Sequence, residues 1–248
     1  RTIVDRMDRF HIGTAGWQVA KTIGQAPAEG SHLERYAQLF NAVEINSVFY
    51  RPHLAKTFER WAATVPEDFR FSVKMHRRIT HERRLTDVRP AQVFLEMVAA
   101  LGEKLGPVLV QLPPSLAWSA ERGDFFSALR ETYQGAVVLE ARHPSWAAAD
   151  VTKVLKETKI SGVAADPPLI RDKILPTGHP PLAYFRFHGT PRVYWSTYTD
   201  DFLSQRAEQI TVLLKAGRTV WTIFDNSAAG AAAPDALRLR ALVQERMA

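Results

Sequence analysis

The chain reads as an α/β protein, a (β/α)8 TIM-type barrel in one domain over residues 1–248, and three observations lead there. Eight short apolar stretches, mostly alternating with amphipathic ones, give the pattern of a parallel sheet covered by helices. The length, 248 residues, is close to the roughly 250 that one such barrel takes. No internal repeat, low-complexity tract or linker divides the sequence. An open doubly wound sheet is the alternative. Closure leaves no strand edges, and no G-x-G-x-x-G or P-loop pattern follows any strand to mark a nucleotide-binding open sheet.

Phe10–Ala15 is the first strand, and a long loop runs from Trp17 to Gly30. Ser31 and Glu34 form an S-x-x-E capping box for a helix whose apolar face is Leu33, Tyr36, Ala37 and Phe40. Ala42–Asn46 is the second strand, and Phe49–His53 fall in the loop behind it. A helix over Thr57–Thr64 rests on Phe58 and Trp61. Arg70–Met75 is the third strand, followed by an arginine-rich loop, 76–89. Pro90 opens a helix with Phe94, Val98, Leu101 and Leu105 at helical spacing, and Gly106-Pro107 ends it.

Val108–Leu112 is the fourth strand, stopped by Pro113-Pro114, and Phe125–Tyr133 is helical. The fifth strand, Val137–Leu139, continues through Glu140 and Arg142 to Pro144, with a helix from Ala147 to Glu157. Gly162–Asp166 is the sixth strand, and an irregular connection, Pro167–Pro181, replaces its helix. Ala183–His188 is the seventh; an aromatic loop, 189–199, leads to a helix capped by Asp200. Thr219–Asn226 is the eighth, and Pro234 starts a closing helix on Leu237, Leu242 and Val243.

Composition narrows the function classes. Hydrophobic residues at 46% and charged residues at 23% suit a soluble protein with one sizeable core. The apolar runs fall short of the ~20 residues of a membrane span, and the amino terminus shows no basic-then-apolar signal segment, so no membrane partner is expected. The absence of cysteine excludes disulfides, thiolate catalysis and cysteine-ligated zinc or iron–sulfur clusters, and fits a cytoplasmic location. A formal charge of +6 and a pI of about 9.7 favour anionic partners.

The chemistry-bearing residues sit at the strand ends: Glu44, Asn46, Lys74, Gln111, Glu140, Arg142, Asp166, Arg186, His188, Asp225 and Asn226. Alternate residues of a strand share a face, so polar residues of one parity line one side while the other parity packs on helices. A barrel gathers these ends at one rim, the usual place of its active site. A mutually neutralising structural network is the bland alternative. Apolar replacements of such networks are often neutral or stabilising, so stability alone does not account for one.

Glu44 and Glu140 are candidates for general acid and base, with His188 as a further proton carrier. Lys74 suits stabilisation of developing negative charge, or a Schiff base if its pKa is depressed. Arg142 and Arg186 suit bidentate grip on phosphate or carboxylate. Asn46, Tyr50, Gln111, Asp166, Asp225, Asn226, Trp17 and Tyr194 complete the expected substrate-binding set. Hard metal ligands are present, but H-x-x-x-H spacing is absent and the neighbouring cations repel a divalent ion. No cofactor is expected, and a divalent metal is the lesser alternative. Loops 76–89 and 189–199, with Arg192, Tyr194, Trp195 and Tyr198, suit a lid or a nucleic-acid surface, or else a solvated basic loop and a hydrophobic anchor.

Several motifs occur in a characteristic order: G-T-A-G-W (Gly13–Trp17), V-E-I-N-S-V-F-Y (Val43–Tyr50), I-T-H (Ile79–His81), Q-L-P-P-S (Gln111–Ser115), E-A-R-H-P-S-W (Glu140–Trp146), Asp166-Pro167, Y-F-R-F-H-G (Tyr184–Gly189) and D-N-S (Asp225–Ser227). Together they resemble the YecE-like family, domain of unknown function 72, over nearly the whole chain. The resemblance implies a TIM-type barrel and leaves the reaction open. Ala141 stands where the family usually has an aromatic, a position that by parity faces the helices. The leading expectation is a hydrolase or isomerase acting by acid–base chemistry on a phosphorylated or otherwise anionic sugar- or nucleotide-like substrate. A nucleic-acid-binding or -processing protein and a non-catalytic ligand sensor or scaffold are the alternatives.

Overall fold

The computed structural model describes residues 6–18, 29–170 and 172–248; most of the Trp17–Gly30 loop lies outside them. The strands are β1 (Phe10–Thr14), β2 (Ala42–Ile45), β3 (Arg70–Lys74), β4 (Leu105–Gln111), β5 (Val137–Glu140), β6 (Ile160–Gly162), β7 (Ala164–Asp166), β8 (Thr177–Gly178), β9 (Leu182–Phe187) and β10 (Thr219–Phe224). They form two sheets, β1-β10-β9-β7 and β2-β3-β4-β5-β6-β8. All pairings are parallel except β6 with β8. The fold is therefore α/β with helices between parallel strands, but the expected unbroken eight-strand ladder is replaced by two arcs.

The first break lies at Val163. The expected sixth strand is split there, β6 pairing with β5 and β7 with β9. The other edge of β6 is occupied by β8, a short strand inside the 167–181 connection expected to be irregular. Gly162 permits that approach: a Cβ there would lie 2.1 Å from Thr177 Oγ1. Val163 N still bonds Leu139 O at 2.9 Å.

The second break lies between β1 and β2, which share one parallel bridge, Ala15 with Glu44. Side chains take the place of ladder bonds below it. Asn41 accepts from Ile12 N (3.0 Å) and donates to Phe10 O (2.8 Å). The Tyr36 hydroxyl accepts from Thr14 N (2.8 Å) and donates to Ala42 O (2.9 Å). A Cβ on Gly13 would lie 1.9 Å from Ala42 O, so only glycine lets the two backbones approach this closely.

The inner faces of the arcs share one apolar plug: Ala42, Leu109 and Val138 from one, Leu182, Tyr184, Trp221 and Ile223 from the other. The larger core lies between the outer faces and the helices. The Ser31–Glu34 capping box forms with both of its hydrogen bonds and opens helix His32–Ala37. Thr199, rather than Asp200, caps helix Asp200–Lys215, its hydroxyl accepting from Phe202 N at 3.2 Å. Gly102, at φ +60°, sits where helix gives way to strand, so Leu105 begins β4 rather than extending the helix that starts at Arg89. Two expected loops contain helical turns, Ser47–Tyr50 and a π-turn at Arg78–Glu82. No described helix is long and apolar enough to cross a membrane.

Because side chains hold the β1–β2 seam, removing one strands backbone groups that water reaches poorly. Asn41→Ala and Tyr36→Phe are each expected to lower unfolding stability by about 1–3 kcal/mol, measured by urea denaturation. A loss within experimental error for both would show that the seam is held by packing alone.

Candidate functional site

Arg186 on β9 is the centre of the polar ring at the carboxyl ends of the strands. Its side chain is 0% exposed and spends every nitrogen on a carboxylate. Nε and Nη2 donate to the two oxygens of Glu44 on β2 (3.0 and 2.6 Å). Nη1 donates to Glu140 Oε2 on β5 (2.8 Å), and Nη2 also reaches Asp225 Oδ2 beyond β10 (3.2 Å). One side chain thus joins both arcs. Strand parity explains the aim: Tyr184 and His188 point inward with Arg186, and the Tyr184 hydroxyl donates to Glu44 Oε2 at 2.8 Å.

His188 lies between two acids, with Nδ1 3.1 Å from Asp225 Oδ2 and Nε2 3.1 Å from Glu140 Oε1. Burial pulls its pKa down and the two carboxylates raise it, with a net rise despite Arg186 nearby. Burial pushes Glu140 up, but Arg186, His188 and Arg142 together hold it well below the usual carboxylate range. Asp225 is likewise lowered, by Arg186 and His188 against the effect of burial. Gln111 Nε2 (3.0 Å) and Arg142 Nη2 (2.8 Å) both donate to Glu140 Oε1 from the solvent side. Arg142 is 20% exposed, so its guanidinium borders the opening.

Two guanidinium groups (Arg186 and Arg142) and the His188 ring thus meet three carboxylates (Glu44, Glu140 and Asp225). Lys74 stands outside these pairs. It is 9% exposed, and among the described residues it has no carboxylate in ion-pair contact; its ammonium lies 4.0 Å over the Phe49 ring. Burial and then Arg186 pull its pKa down to about 8, against Glu44, Glu140 and Asp225.

Several expected site residues have other partners. Glu44, 0% exposed, has both oxygens held by Arg186 and Tyr184, so it is a strut rather than a free acid or base. Asp166 Oδ2 accepts from Thr190 (2.7 Å) and Tyr198 (2.7 Å), which ties down the 189–199 loop, so Tyr198 is a buried anchor. Asn226 donates to Ser196 O and Asp235, again fixing backbone. Asn46 precedes the Ser47–Tyr50 turn with its Oδ1 buried and without a hydrogen-bond partner among the described residues. Tyr50 is 66% exposed and packs edge-on against Phe49, while Trp17 packs on Trp61. Tyr194 does reach the ring, 5.9 Å from His188 between ring centroids.

His81 and Phe49 were not among the expected site residues. The π-turn places His81 5.1 Å from Phe49, and burial, Lys74, Arg77 and Arg142 all lower its pKa, so it is a neutral imidazole at pH 7. The I-T-H motif contained the residue, but an unstructured reading of 76–89 hid its direction. The arginines of that loop are largely engaged: Arg77 with Glu82, Arg83 and Arg89 with Asp87, Arg84 with Ser115. Among the described residues no group of three or more His, Cys, Asp or Glu is arranged to hold a metal ion.

A family model described as "Protein of unknown function DUF72" matches residues 11–248. The chain is 24% identical to UPF0759 protein YunF of Bacillus subtilis, over 94% of both proteins. It is 30% identical to UPF0759 protein YecE of Escherichia coli K12 over 105 residues, 42% of this chain and 38% of that protein. The crystal structure of a DUF72 family protein from Thermotoga maritima superposes with TM-score 0.80 and 25% identity, covering 95% of this chain and 99% of that one.

The ring implies a stability window. Glu140 and Asp225, with lowered folded values, contribute fully above the ordinary carboxylate range of about 4, and their contribution is lost as pH falls through the folded values. His188, with a raised value, contributes fully below about 6.5, and its contribution is lost as pH rises through the raised value. The ring's own contribution to stability should therefore be greatest between about pH 4 and 6.5. His188→Gln should flatten the decline above it; parallel melting curves for variant and parent from pH 6.5 to 8 would refute the charge assignment. Arg186→Met, which leaves buried carboxylates facing one another, should cost about 3–5 kcal/mol in denaturant unfolding.

Proposed function

The chain belongs to the DUF72 family, and on that premise we propose that the ring binds a small anionic substrate and moves a proton on it. The two arcs act as one (β/α)8 barrel with the ring at its mouth. The single Ala15–Glu44 bridge, the Val163 contact and Arg186 reaching across both arcs support that reading.

Lys74, buried and in no ion pair among the described residues, carries the functional reading. A buried ammonium without a counter-ion destabilises the free protein, and a phosphate or carboxylate at the mouth would supply the missing charge. Arg142, half-turned to the opening, is the second grip. Lys74 is also suited to general-acid work, since a pKa near 8 is close to the working pH. His81, neutral and with Nδ1 on Thr80 (2.8 Å), is the base facing it, leaving Nε2 for substrate. Glu140, Asp225 and His188 hold the charges in place behind them.

Acid–base hydrolysis or isomerisation of a phosphorylated sugar- or nucleotide-like compound follows from these parts, without an organic cofactor. Tyr194 beside His188, and Arg192 4.3 Å over Trp195, supply flat surfaces for its ring. The same exposed pair, Tyr194 and Trp195, favours a second reading in which single-stranded nucleic acid stacks there.

Calorimetric titration with inorganic phosphate tests the leading reading. Lys74→Met and Arg142→Met should each weaken binding about tenfold or more. Phosphate affinity should also fall as pH rises through about 8, where Lys74 loses its proton. Lys74→Met should raise the melting temperature of the free protein at pH 7. Unchanged phosphate affinity in both variants would overturn the reading. Oligonucleotide binding that falls steeply with salt would favour the second.

A further inference from the structure

At the opposite, amino-terminal ends of the strands lies a cavity of about 420 Å³, within the range of small organic ligands. Trp221 on β10 lies at its inner end, backed by Tyr184 in a stacked pair (6.0 Å, 9°) and flanked by His11 (4.8 Å). Gly106 makes room for the indole, since a Cβ there would sit 2.5 Å from it.

The walls are basic. Arg70, Arg130 and Lys159 line the cavity together with the imidazoles of His11 and His179, and among the described residues no aspartate or glutamate does. Among the described residues Arg130 is held by backbone carbonyls alone, of Thr158 (2.7 Å), Tyr133 (2.7 Å), Gly135 (2.8 Å) and Lys159 (3.4 Å). Arg70 likewise donates to Glu67 O and Phe69 O. These bonds fix the guanidinium groups without neutralising them. His11 Nδ1 is buried and has no hydrogen-bond partner among the described residues. The basic groups also act on one another: Arg70 lowers the pKa of His11, and Lys159 and Arg130 lower that of His179, each after burial.

Three like charges around one concave site, with no acid in its lining among the described residues, favour an anionic ligand there. We propose that this cavity is a second binding site, separate from the ring, for a small organic anion with a planar apolar group. Its phosphate or carboxylate lies against Arg70, Lys159 and the His179 ring, and its apolar part lies toward Trp221. The two sites are separated by the apolar plug of Leu109, Val138 and Ile223.

Phenyl phosphate is a suitable probe, titrated by calorimetry into the full chain. On a Lys74→Met background, which weakens the ring's own phosphate grip, Lys159→Asn/His179→Gln should lower its affinity about tenfold or more. Neither side chain hydrogen-bonds within the described residues, and asparagine tolerates the positive φ of residue 159 (+52°), so the fold is retained. Lys74→Met should leave this binding intact, which separates it from the ring. In the unaltered protein, phenyl phosphate should also slow acetylation of Lys159 several-fold relative to exposed Lys153, read by mass spectrometry. No binding up to millimolar concentration would overturn the proposal. So would an unchanged affinity when the double variant is added to Lys74→Met, or loss of binding in Lys74→Met alone.

Discussion

A guanidinium removed from water must find its charge again inside the protein, and Arg186 does so by taking three carboxylates from three different strand ends. Desolvating such a group is expensive, and the gain returns only when geometry and hydrogen bonding are nearly complete. Glu44, Glu140 and Asp225 supply that completeness, and Arg186 in turn helps hold Glu140 and Asp225 below the usual carboxylate range. The position of β2 relative to β5, β9 and β10 is therefore tied to one side chain. The ladder between the arcs is thin, so this tie matters more than it would in a continuous sheet.

The space between the arcs is layered by polarity. A charged ring occupies the carboxyl ends, an apolar plug fills the middle, and a cationic cavity lies at the amino ends. Lys74 lies outside the ion pairs of the ring, and among the described residues the cavity at the other end has no acid in its lining. Arg70, Arg130 and Lys159 place part of the positive formal charge around that cavity.

Side chains carry much of the work that ladder hydrogen bonds do elsewhere. Asn41 and Tyr36 stitch β1 to β2, and Asp166 and Asn226 fix the loop beyond β9. Polar residues at strand ends are thus of two kinds here. Some complete the backbone, and others face the opening. Parity alone does not separate them, because both kinds require inward or upward aim.

Local chemistry in the sequence determined a great deal. The S-x-x-E box set a helix start, glycine and proline set strand ends, and alternation in 183–188 aimed Arg186 and His188 inward. Those effects act over a few residues and survive in any surrounding. Tertiary structure alone decided the rest. Val163 divides a strand because β8 returns to occupy an edge, His81 turns toward Lys74 because residues 78–82 coil into a π-turn, and Asp166 faces Tyr198 rather than a ligand. Each of those outcomes depends on which distant group arrives first at a hydrogen-bonding edge or a buried charge, and a linear pattern holds no record of such competition.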